Sequence, residues 1–283
     1  MIVVTGATGQ LGSAVVEQLL ARVPADQIGV SVRDPEKATS LADVGVRVRR
    51  GDFAEPASLA EAFEGADQVL LVSASTTGDE AIQLHGSAIE AARTAGVGRI
   101  LYTSHMASSP GSAFAPMPDH FATEKLLEAS GVPFTSLRNG FYAASGLMFL
   151  GQALHTGELA APEDGPISWT AHADLAEAAA TVLVEGGFEG ATPPLTGSVA
   201  IDLSEVAAIA SSVTGRAITR TVISDDEHVA NLVGHGVPSS AAEMLVGMFV
   251  ASRNGEFAAV DPTLEKLLGR EPVGFGAVLA GSL

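Results

Sequence analysis

The chain contains no cysteine, which excludes disulfide bonds, thiol catalysis and cysteine metal sites. Cationic side chains are scarce: 15 lysines and arginines face 33 aspartates and glutamates, for a formal net charge of −18. Such a surface repels nucleic acid and anionic lipid, so we expect neither as a partner. The sequence also lacks an apolar run of the ~20 residues that a membrane span requires. No charged region precedes an apolar one at the start, so we expect no signal peptide and a cytoplasmic protein.

The first residues, MIVVTGATGQLG, place a short apolar strand directly before a turn in which Gly6, Gly9 and Gly12 lie three apart. In this strand–turn–helix context the spacing is typical of dinucleotide binding. Gly6 permits the tight turn, Gly9 lets the backbone approach a pyrophosphate, and Gly12 lets the helix pack against the strand. The alternative is that the glycines serve only a tight turn. The predicted contacts in this stretch are Gly6, Thr8, Gly9, Gln10, Leu11 and Gly12.

Strands and helices alternate through the first half of the chain, which predicts an α/β fold with a doubly wound parallel sheet. Strands are expected at residues 27–32, 46–50, 68–72, 99–103 and 133–137, after the one at the start. We assign residues 1–140 to a dinucleotide-binding Rossmann domain. Residues 141–283 form mainly a smaller substrate lobe, partly interleaved with that sheet.

The end of the second strand is where specificity for the adenosine ribose is decided in such folds. Arg33 comes first there, and an arginine suits the 2′-phosphate of NADP better than the ribose hydroxyls of NAD. Lys37 is a second, weaker candidate for the same phosphate. Asp34 is either the ribose acid of an NAD enzyme or, because Pro35 follows it, a helix N-cap. The order of these residues favours NADPH over NADH.

Other strand ends should face the same crevice, because parallel strands deliver their carboxyl ends to one edge. Asp52 is placed to accept from the adenine amino group, with Phe53 over the ring; the alternative is that Asp52 caps a loop. Small residues after the fourth strand leave room for the inner ribose and nicotinamide. Phe141 and Tyr142 either line the nicotinamide and substrate side or pack the domain junction. The remaining predicted cofactor contacts are Ser73, Ala74, Ser75 and Thr103.

Several stretches together resemble the NmrA-like branch of the atypical short-chain dehydrogenase/reductases. They are the glycine triplet, Arg33 to Lys37, Gly51 to Phe53, Tyr102 to Ser104 and Arg138 to Tyr142. Within that branch the chain is most similar to bacterial NAD(P)H:quinone oxidoreductases, with which it shares His-x-x-Thr-Glu-Lys at 120–125 and a tail motif at 267–272. The resemblance spans nearly the whole chain. It implies NADPH binding, an unusual active site and often no metal; no metal ligands are predicted here.

Ordinary short-chain dehydrogenases use a Tyr-x-x-x-Lys pair, in which the lysine lowers the tyrosine pKa so that its hydroxyl can protonate the substrate. Here the lysine is Lys125, and Phe121 stands four residues before it. The usual proton donor is therefore missing. The resemblance implies that Lys125 still bonds the nicotinamide ribose; the alternative is a surface lysine on a helix.

The missing acid restricts the substrates. Reducing a simple ketone develops an alkoxide of pKa ~16, whereas reducing a quinone develops a phenolate of pKa ~10. The difference of roughly six pKa units means that the phenolate needs about 8 kcal/mol less charge stabilisation than the alkoxide. A quinone reductase therefore needs no dedicated acid. A weak donor could then suffice, and the candidates are Ser104, His105 and Tyr142. The predicted catalytic set is Lys125, Ser104 and Tyr142.

These observations predict an NADPH-dependent reductase of quinones or similarly activated carbonyl compounds. Two alternatives stay open: a redox sensor that binds NADP(H) without turnover, and a reductase of an aromatic natural product. The expected partner is a small aromatic molecule, and a homodimer is one assembly that the sequence allows. We also expect a loop over the site at Ala107 to Pro118, a strand from Val199 to Leu203, and Asp174 as a helix cap.

Overall fold

Strands and helices alternate along the first half of the chain in the computed structural model, which describes residues 1–283. The strands are β1 (Ile2–Thr5), β2 (Ile28–Val32), β3 (Arg47–Arg50), β4 (Gln68–Leu71), β5 (Arg99–His105) and β6 (Phe134–Asn139). The helices between them are α1 (Gln10–Leu20), α2 (Thr39–Asp43), α3 (Pro56–Phe63), α4 (Asp79–Thr94) and α5 (Pro116–Ser130). Short 3₁₀ turns at Ala25–Gln27 and Pro35–Ala38 flank β2.

The second half has shorter strands and more helix. Its strands are β7 (Phe141–Tyr142), β8 (Glu158–Pro162), β9 (Trp169–Thr170), β10 (Gly190–Ala191) and β11 (Thr219–Ile223). Its helices are α6 (Ala143–Thr156), α7 (His172–Glu185), α8 (Leu203–Thr214), α9 (Asp225–Gly234), α10 (Ser239–Arg253), α11 (Thr263–Leu268) and α12 (Phe275–Ala280). No helix is both long enough and apolar enough to cross a bilayer.

The main sheet has seven parallel strands in the order β10-β6-β5-β4-β1-β2-β3. This confirms the predicted doubly wound α/β fold. Val3 of β1 is paired with Gly29 on one side and with Val69 on the other. The chain therefore changes direction across the sheet between β1 and β4. In such sheets a crevice for ligands opens at the carboxyl ends of the strands on either side of that point.

Helices cover both faces of the main sheet, as the continuous apolar strands require. The consecutive residues Val3 and Val4 are fully buried in different cores. Val4 lies with Leu11 and Leu19 of α1, and Val3 lies with Leu59 of α3. Because β1 and β3 run parallel in the sheet, the turns that lead to α1 and α3 open at the same edge, although the two helices lie on opposite faces.

Three elements from the second half complete this unit. The short strand β10 extends the sheet beyond β6, α7 packs against α1 on one face, and α11 packs against α7. The other elements surround a separate core that includes Phe141, Trp169 and Phe249. Here β8 and β11 form a small parallel sheet. The lobe core lies next to the end of β6, since Phe141 follows it directly.

Three local predictions differ from the structure. The strand expected from Val199 to Leu203 is a single bridge from Ile201 to Ile167, because the next residue, Asp202, forms a capping box that starts α8. The predicted loop ends at α5, which starts at Pro116, since proline suits the first helical turn. Asp174 caps nothing: its buried carboxylate accepts from Arg270 Nη2 at 2.8 Å and from Val273 N–H at 2.6 Å.

Candidate active site

A cavity of about 490 Å³ opens where β1 to β4 end, at the predicted crevice. It is large enough for a cofactor or small-molecule ligand. Nine predicted contacts line it: Gly6, Thr8, Gly9, Arg33, Asp52, Phe53, Ser73, Ala74 and Ser75. The other predicted contacts lie outside its wall: Gln10, Leu11, Gly12, Lys37, Thr103, Lys125 and Phe141.

The glycine turn brings helix α1 directly up to the cavity. Gly6 has a φ of +60°, a left-handed conformation that favours glycine. A Cβ on Gly12 would lie 2.3 Å from the Gly6 carbonyl oxygen, so only glycine allows the helix to start this close to β1. No side chain caps α1, and the N–H groups of Gln10, Leu11 and Gly12 have no acceptor in the protein. Free N–H groups at a helix N-terminus are suited to bind a phosphate or pyrophosphate.

Arg33 is the one cationic side chain on the cavity wall, and it forms no ion pair. In contrast, Arg50 at the end of β3 is held by Glu55 through two hydrogen bonds of 2.7 Å. Asp34 is not on the cavity wall, where a ribose acid would lie, and its Oδ1 accepts the Glu36 N–H at 3.1 Å as the N-cap of a 3₁₀ turn. An unpaired arginine in this position is suited to a phosphate.

Lys37 lies outside the wall. Its side chain is 73% exposed, and its Nζ is 3.7 Å from Asp34 Oδ2. The second phosphate contact predicted for Lys37 therefore requires its side chain to leave that partner.

Residues behind the wall hold the chain that follows β4. The N–H groups of Val72 and Ser73 donate to the hydroxyls of Thr5 and Thr103, both at 2.9 Å. Ala74 N–H donates to His85 Nε2 at 2.8 Å. Thr103 therefore does not line the cavity itself but holds the backbone of Ser73, which does.

His85 on α4 is a site residue that the sequence analysis did not single out. Because its Nε2 accepts from Ala74, its proton is on Nδ1, which lies 2.9 Å from Thr123 Oγ1. Burial lowers the pKa of His85 to about 4, so the ring is neutral near pH 7. The sequence could not predict this contact, because the partner of the His85 side chain is a backbone amide, which every residue except proline carries.

Two of the predicted catalytic groups, Lys125 and Ser104, bind glutamate side chains away from the cavity wall. Lys125 Nζ is 2.8 Å from Glu128 Oε2, and it lies 5.5 Å from the centroid of the Phe121 ring. The lysine side chain is 55% exposed. The hydroxyl of Ser104 donates to Glu124 Oε1 at 2.7 Å.

Glu124 is the centre of a buried polar cluster that the sequence analysis missed. Its side chain is 6% exposed and also accepts from Ser136 at 2.9 Å and from Arg138 Nη2 at 2.7 Å. Burial raises the pKa of this carboxyl, but hydrogen bonds from Arg138 and Ser104 outweigh it and leave the pKa below its ordinary value. The cluster ties α5 to β5 and β6.

Tyr142 and Phe141 lie on the two sides of the junction between the main unit and the lobe. The Tyr142 ring is 4.3 Å from that of His172, centroid to centroid, and burial raises the pKa of Tyr142. Phe141 is buried in the lobe core, with its ring 5.3 Å from Trp169 and 5.0 Å from Phe257. These contacts match the interpretation in which both residues pack the domain junction.

A series of rings connects the cavity with this lobe core. Phe53 on the wall lies 6.5 Å from His85, and His85 lies 5.3 Å from Tyr102. The Tyr102 hydroxyl is 2.8 Å from His120 Nδ1. His105 then lies 6.2 Å from His120 and 5.3 Å from Phe141, between ring centroids. The series follows the carboxyl edge of the sheet from the cavity toward the lobe.

The fold and the cavity define a dinucleotide-binding protein of the Rossmann class. Residues 1–274 match the NmrA-like family, and the chain belongs to that family. No group of three or more histidine, aspartate or glutamate side chains is arranged to hold a metal ion.

Individual relatives include oxidoreductases. The chain is 40% identical over 272 residues to quinone oxidoreductase 2 of Escherichia coli, covering 95% of this chain and 94% of the relative. It is 30% identical to the NAD(P)H azoreductase of Xenophilus azovorans, covering 95% and 93%. The crystal structure of an Escherichia coli NADPH-dependent quinone oxidoreductase complexed with NADPH superposes with a TM-score of 0.94 at 37% identity, covering 100% of this chain and 99% of that one.

Proposed function

We propose that this protein is an NADPH-dependent oxidoreductase that transfers hydride to a quinone or a similarly activated carbonyl acceptor. The observation that carries the proposal is the unpaired Arg33 on a cavity next to the free N–H groups at the start of α1. An arginine fork is suited to the 2′-phosphate that distinguishes NADPH from NADH. The relatives named for NADPH and quinones support the same activity.

The residues present fit NADPH. Arg33 would hold the 2′-phosphate, and the N–H groups of Gln10, Leu11 and Gly12 would hold the pyrophosphate. Asp52 and Phe53 would contact the adenine. When bound, NADPH supplies the hydride. Contacts from Lys37 to the 2′-phosphate and from Lys125 to the nicotinamide ribose remain predictions.

Phe121 and Lys125 make the protein a poor catalyst for simple ketones. Phe121 has no proton to donate, and Lys125 is paired with Glu128 at the surface. A quinone tolerates this loss, because its reduced oxygen is less basic than an alkoxide by roughly six pKa units, or about 8 kcal/mol. Binding and orientation can then supply most of the catalysis.

The aromatic lobe core favours flat, apolar acceptors. Phe114, Phe141 and Phe257 form ring pairs with centroid separations of 5.0 to 6.1 Å beside the last strand ends. Aromatic rings prefer to pack on one another at such distances. Phe114 keeps partial exposure, so a quinone or another aromatic acceptor would pack against this ring at the edge of the lobe core.

The experiment is to follow NADPH absorbance with the purified protein and a panel of benzoquinones and naphthoquinones, with an unactivated ketone as control. We expect one hydroquinone per NADPH oxidised and no rate above background with the ketone. Tight NADPH binding without oxidation by any acceptor would contradict the proposal and favour the redox sensor. Light scattering separately tests whether the protein forms the homodimer that the sequence allows.

A further inference from the structure

His105, the last residue of β5, has a defined tautomer. Its Nδ1 accepts the backbone N–H of Ala107 at 3.1 Å. A backbone N–H can only donate, so this Nδ1 carries no proton, and the proton of the neutral ring is on Nε2. Nε2 has no hydrogen-bond acceptor in the protein. His105 therefore presents an unused N–H donor.

The surroundings of His105 favour the neutral ring. The imidazole packs between Phe141 and Phe257, at 5.3 and 5.6 Å between centroids, and lies nearly parallel to His120. Burial, together with the neighbouring His120, lowers the pKa of His105 to about 3. Phe257 is fully buried, whereas His105 keeps partial exposure. The ring therefore stays neutral at physiological pH and retains an accessible edge.

The position of His105 suits an acceptor bound beside the cofactor. Two residues earlier on the same strand, Thr103 accepts the N–H of Ser73 on the cavity wall. Two residues is about 7 Å along a strand. His105 thus lies at the carboxyl edge of the sheet, between the cavity and the aromatic lobe core.

We propose that His105 is a catalytic residue whose Nε2–H donates a hydrogen bond to the carbonyl oxygen of the acceptor. The proposal rests on the proposed quinone reductase function and assigns the donor that Phe121 cannot supply. Ser104 and Lys125 are engaged by Glu124 and Glu128, and the Tyr142 ring packs against His172 of α7. Among these groups, His105 is the one whose free N–H lies between the cavity and the aromatic lobe core.

The charge balance is simple. The hydride would leave the nicotinamide with both electrons of its C–H bond and bond to one quinone oxygen. The electron pair then moves through the ring to the other oxygen, which becomes a phenolate, and the Nε2–H of His105 stabilises that charge. His105 keeps its proton throughout. The phenolate takes one proton from water on release, which completes the hydroquinone, while the reduced coenzyme leaves oxidised. A neutral imidazole acts here as a preorganised dipole aimed at the developing charge.

The test compares His105→Phe, which keeps a ring without the donor, with His105→Gln, which keeps an N–H donor. Removing one oxyanion donor lowers kcat by ~10²–10³-fold in other enzymes. Because a phenolate is less basic than those oxyanions, we expect His105→Phe to lower kcat/KM for tetramethylbenzoquinone by roughly 10- to 100-fold. With tetrachlorobenzoquinone, whose hydroquinone is far more acidic, the loss should be under about 3-fold. His105→Gln should recover most of the rate.

The loss of rate should depend on how basic the reduced acceptor is if His105 donates to it. A merely structural role would lower the rates with all acceptors alike. His228→Phe is the matched control, because His228 also packs edge-on against a phenylalanine, Phe249, in the lobe. Equal losses across the acceptors, or none, in His105→Phe would overturn the inference while leaving the quinone reductase function intact. A wild-type protein that reduces no quinone would overturn both.

A second measurement observes the wild-type protein and identifies the tautomer directly. In ¹⁵N-histidine NMR spectra, with the His105 signals assigned by their loss in His105→Gln, we expect an unprotonated Nδ1 and a protonated Nε2 at pH 7. Adding NADP⁺ with tetramethylhydroquinone should shift the Nε2 signal. An imidazolium or an Nδ1–H tautomer, or an Nε2 signal that does not respond, would refute the assignment.

Discussion

The Ser104 hydroxyl donates to Oε1 of Glu124 at 2.7 Å, and both residues are buried. Ser104 lies near the carboxyl end of β5, where a serine looks like a catalytic donor. Its proton is instead used to hold α5 against the sheet. The same carboxylate accepts from Ser136 and Arg138, so one helix residue joins two strands.

Replacing Glu124 with glutamine should destabilise the fold. The variant keeps the shape but loses the charge that pairs with Arg138. The expected cost is about 1–3 kcal/mol in the free energy of unfolding, because Arg138 is partly exposed and can recruit water. Urea denaturation measures it. Glu128→Gln, which changes the exposed partner of Lys125, should cost less than about 1 kcal/mol; equal costs would contradict a structural role for the cluster.

Buried neutral histidines should make the protein sensitive to mild acid. Burial lowers the pKa of His85 to about 4 from 6.5. The unfolded chain therefore binds a proton that the native state excludes between pH 6.5 and 4. Stability should fall as pH drops through that window, with up to about 1.4 kcal/mol per pH unit from this residue.

The variant His85→Gln keeps an acceptor for Ala74 N–H but cannot titrate. The slope of unfolding free energy against pH between 6.5 and 4 should be shallower in this variant than in the wild type. Exposed His235 provides the control substitution, His235→Gln, which should leave the slope unchanged. Identical slopes for the wild type and His85→Gln would show that His85 is protonated in the native state.

Gly12→Ala should damage both the fold and cofactor binding. The new Cβ would lie 2.3 Å from the Gly6 oxygen and 2.8 Å from the Gly6 carbonyl carbon, so α1 must move away from β1. Overpacking of this kind costs about 1–3 kcal/mol. NADPH affinity, measured by the fluorescence of the bound coenzyme, should fall with it. The exposed neighbour Ser13→Ala should bind normally; normal binding by Gly12→Ala as well would refute the close approach.

The first half of this fold could be predicted from the sequence because its signals are local. Apolar strands, the glycine triplet and the Asp34–Pro35 helix start each depend on a few adjacent residues, and the structure shows all three. The cavity wall followed from one topological rule, that parallel strands end at the same edge.

The remaining features depend on contacts between distant segments, which no local pattern records. His85 meets Ala74 through a backbone amide, and Asp174 meets Arg270 across 96 positions of sequence. Strand β10 joins the main sheet with two residues, too few to show a periodicity. The strand predicted from Val199 to Leu203 shows the opposite failure. Its apolar residues are typical of a strand, but Asp202 starts a helix there, so the strand does not form.

The most direct test of the account is the affinity for NADPH and NADH before and after Arg33→Ala, measured by titration calorimetry. If Arg33 holds the 2′-phosphate, the substitution should cost NADPH on the order of 1.5–3 kcal/mol and leave NADH nearly unchanged. Lys37→Ala, at the exposed neighbouring lysine, should cost NADPH less. Equal losses for NADPH and NADH, or no loss for either, would contradict the assignment of this cavity to NADPH.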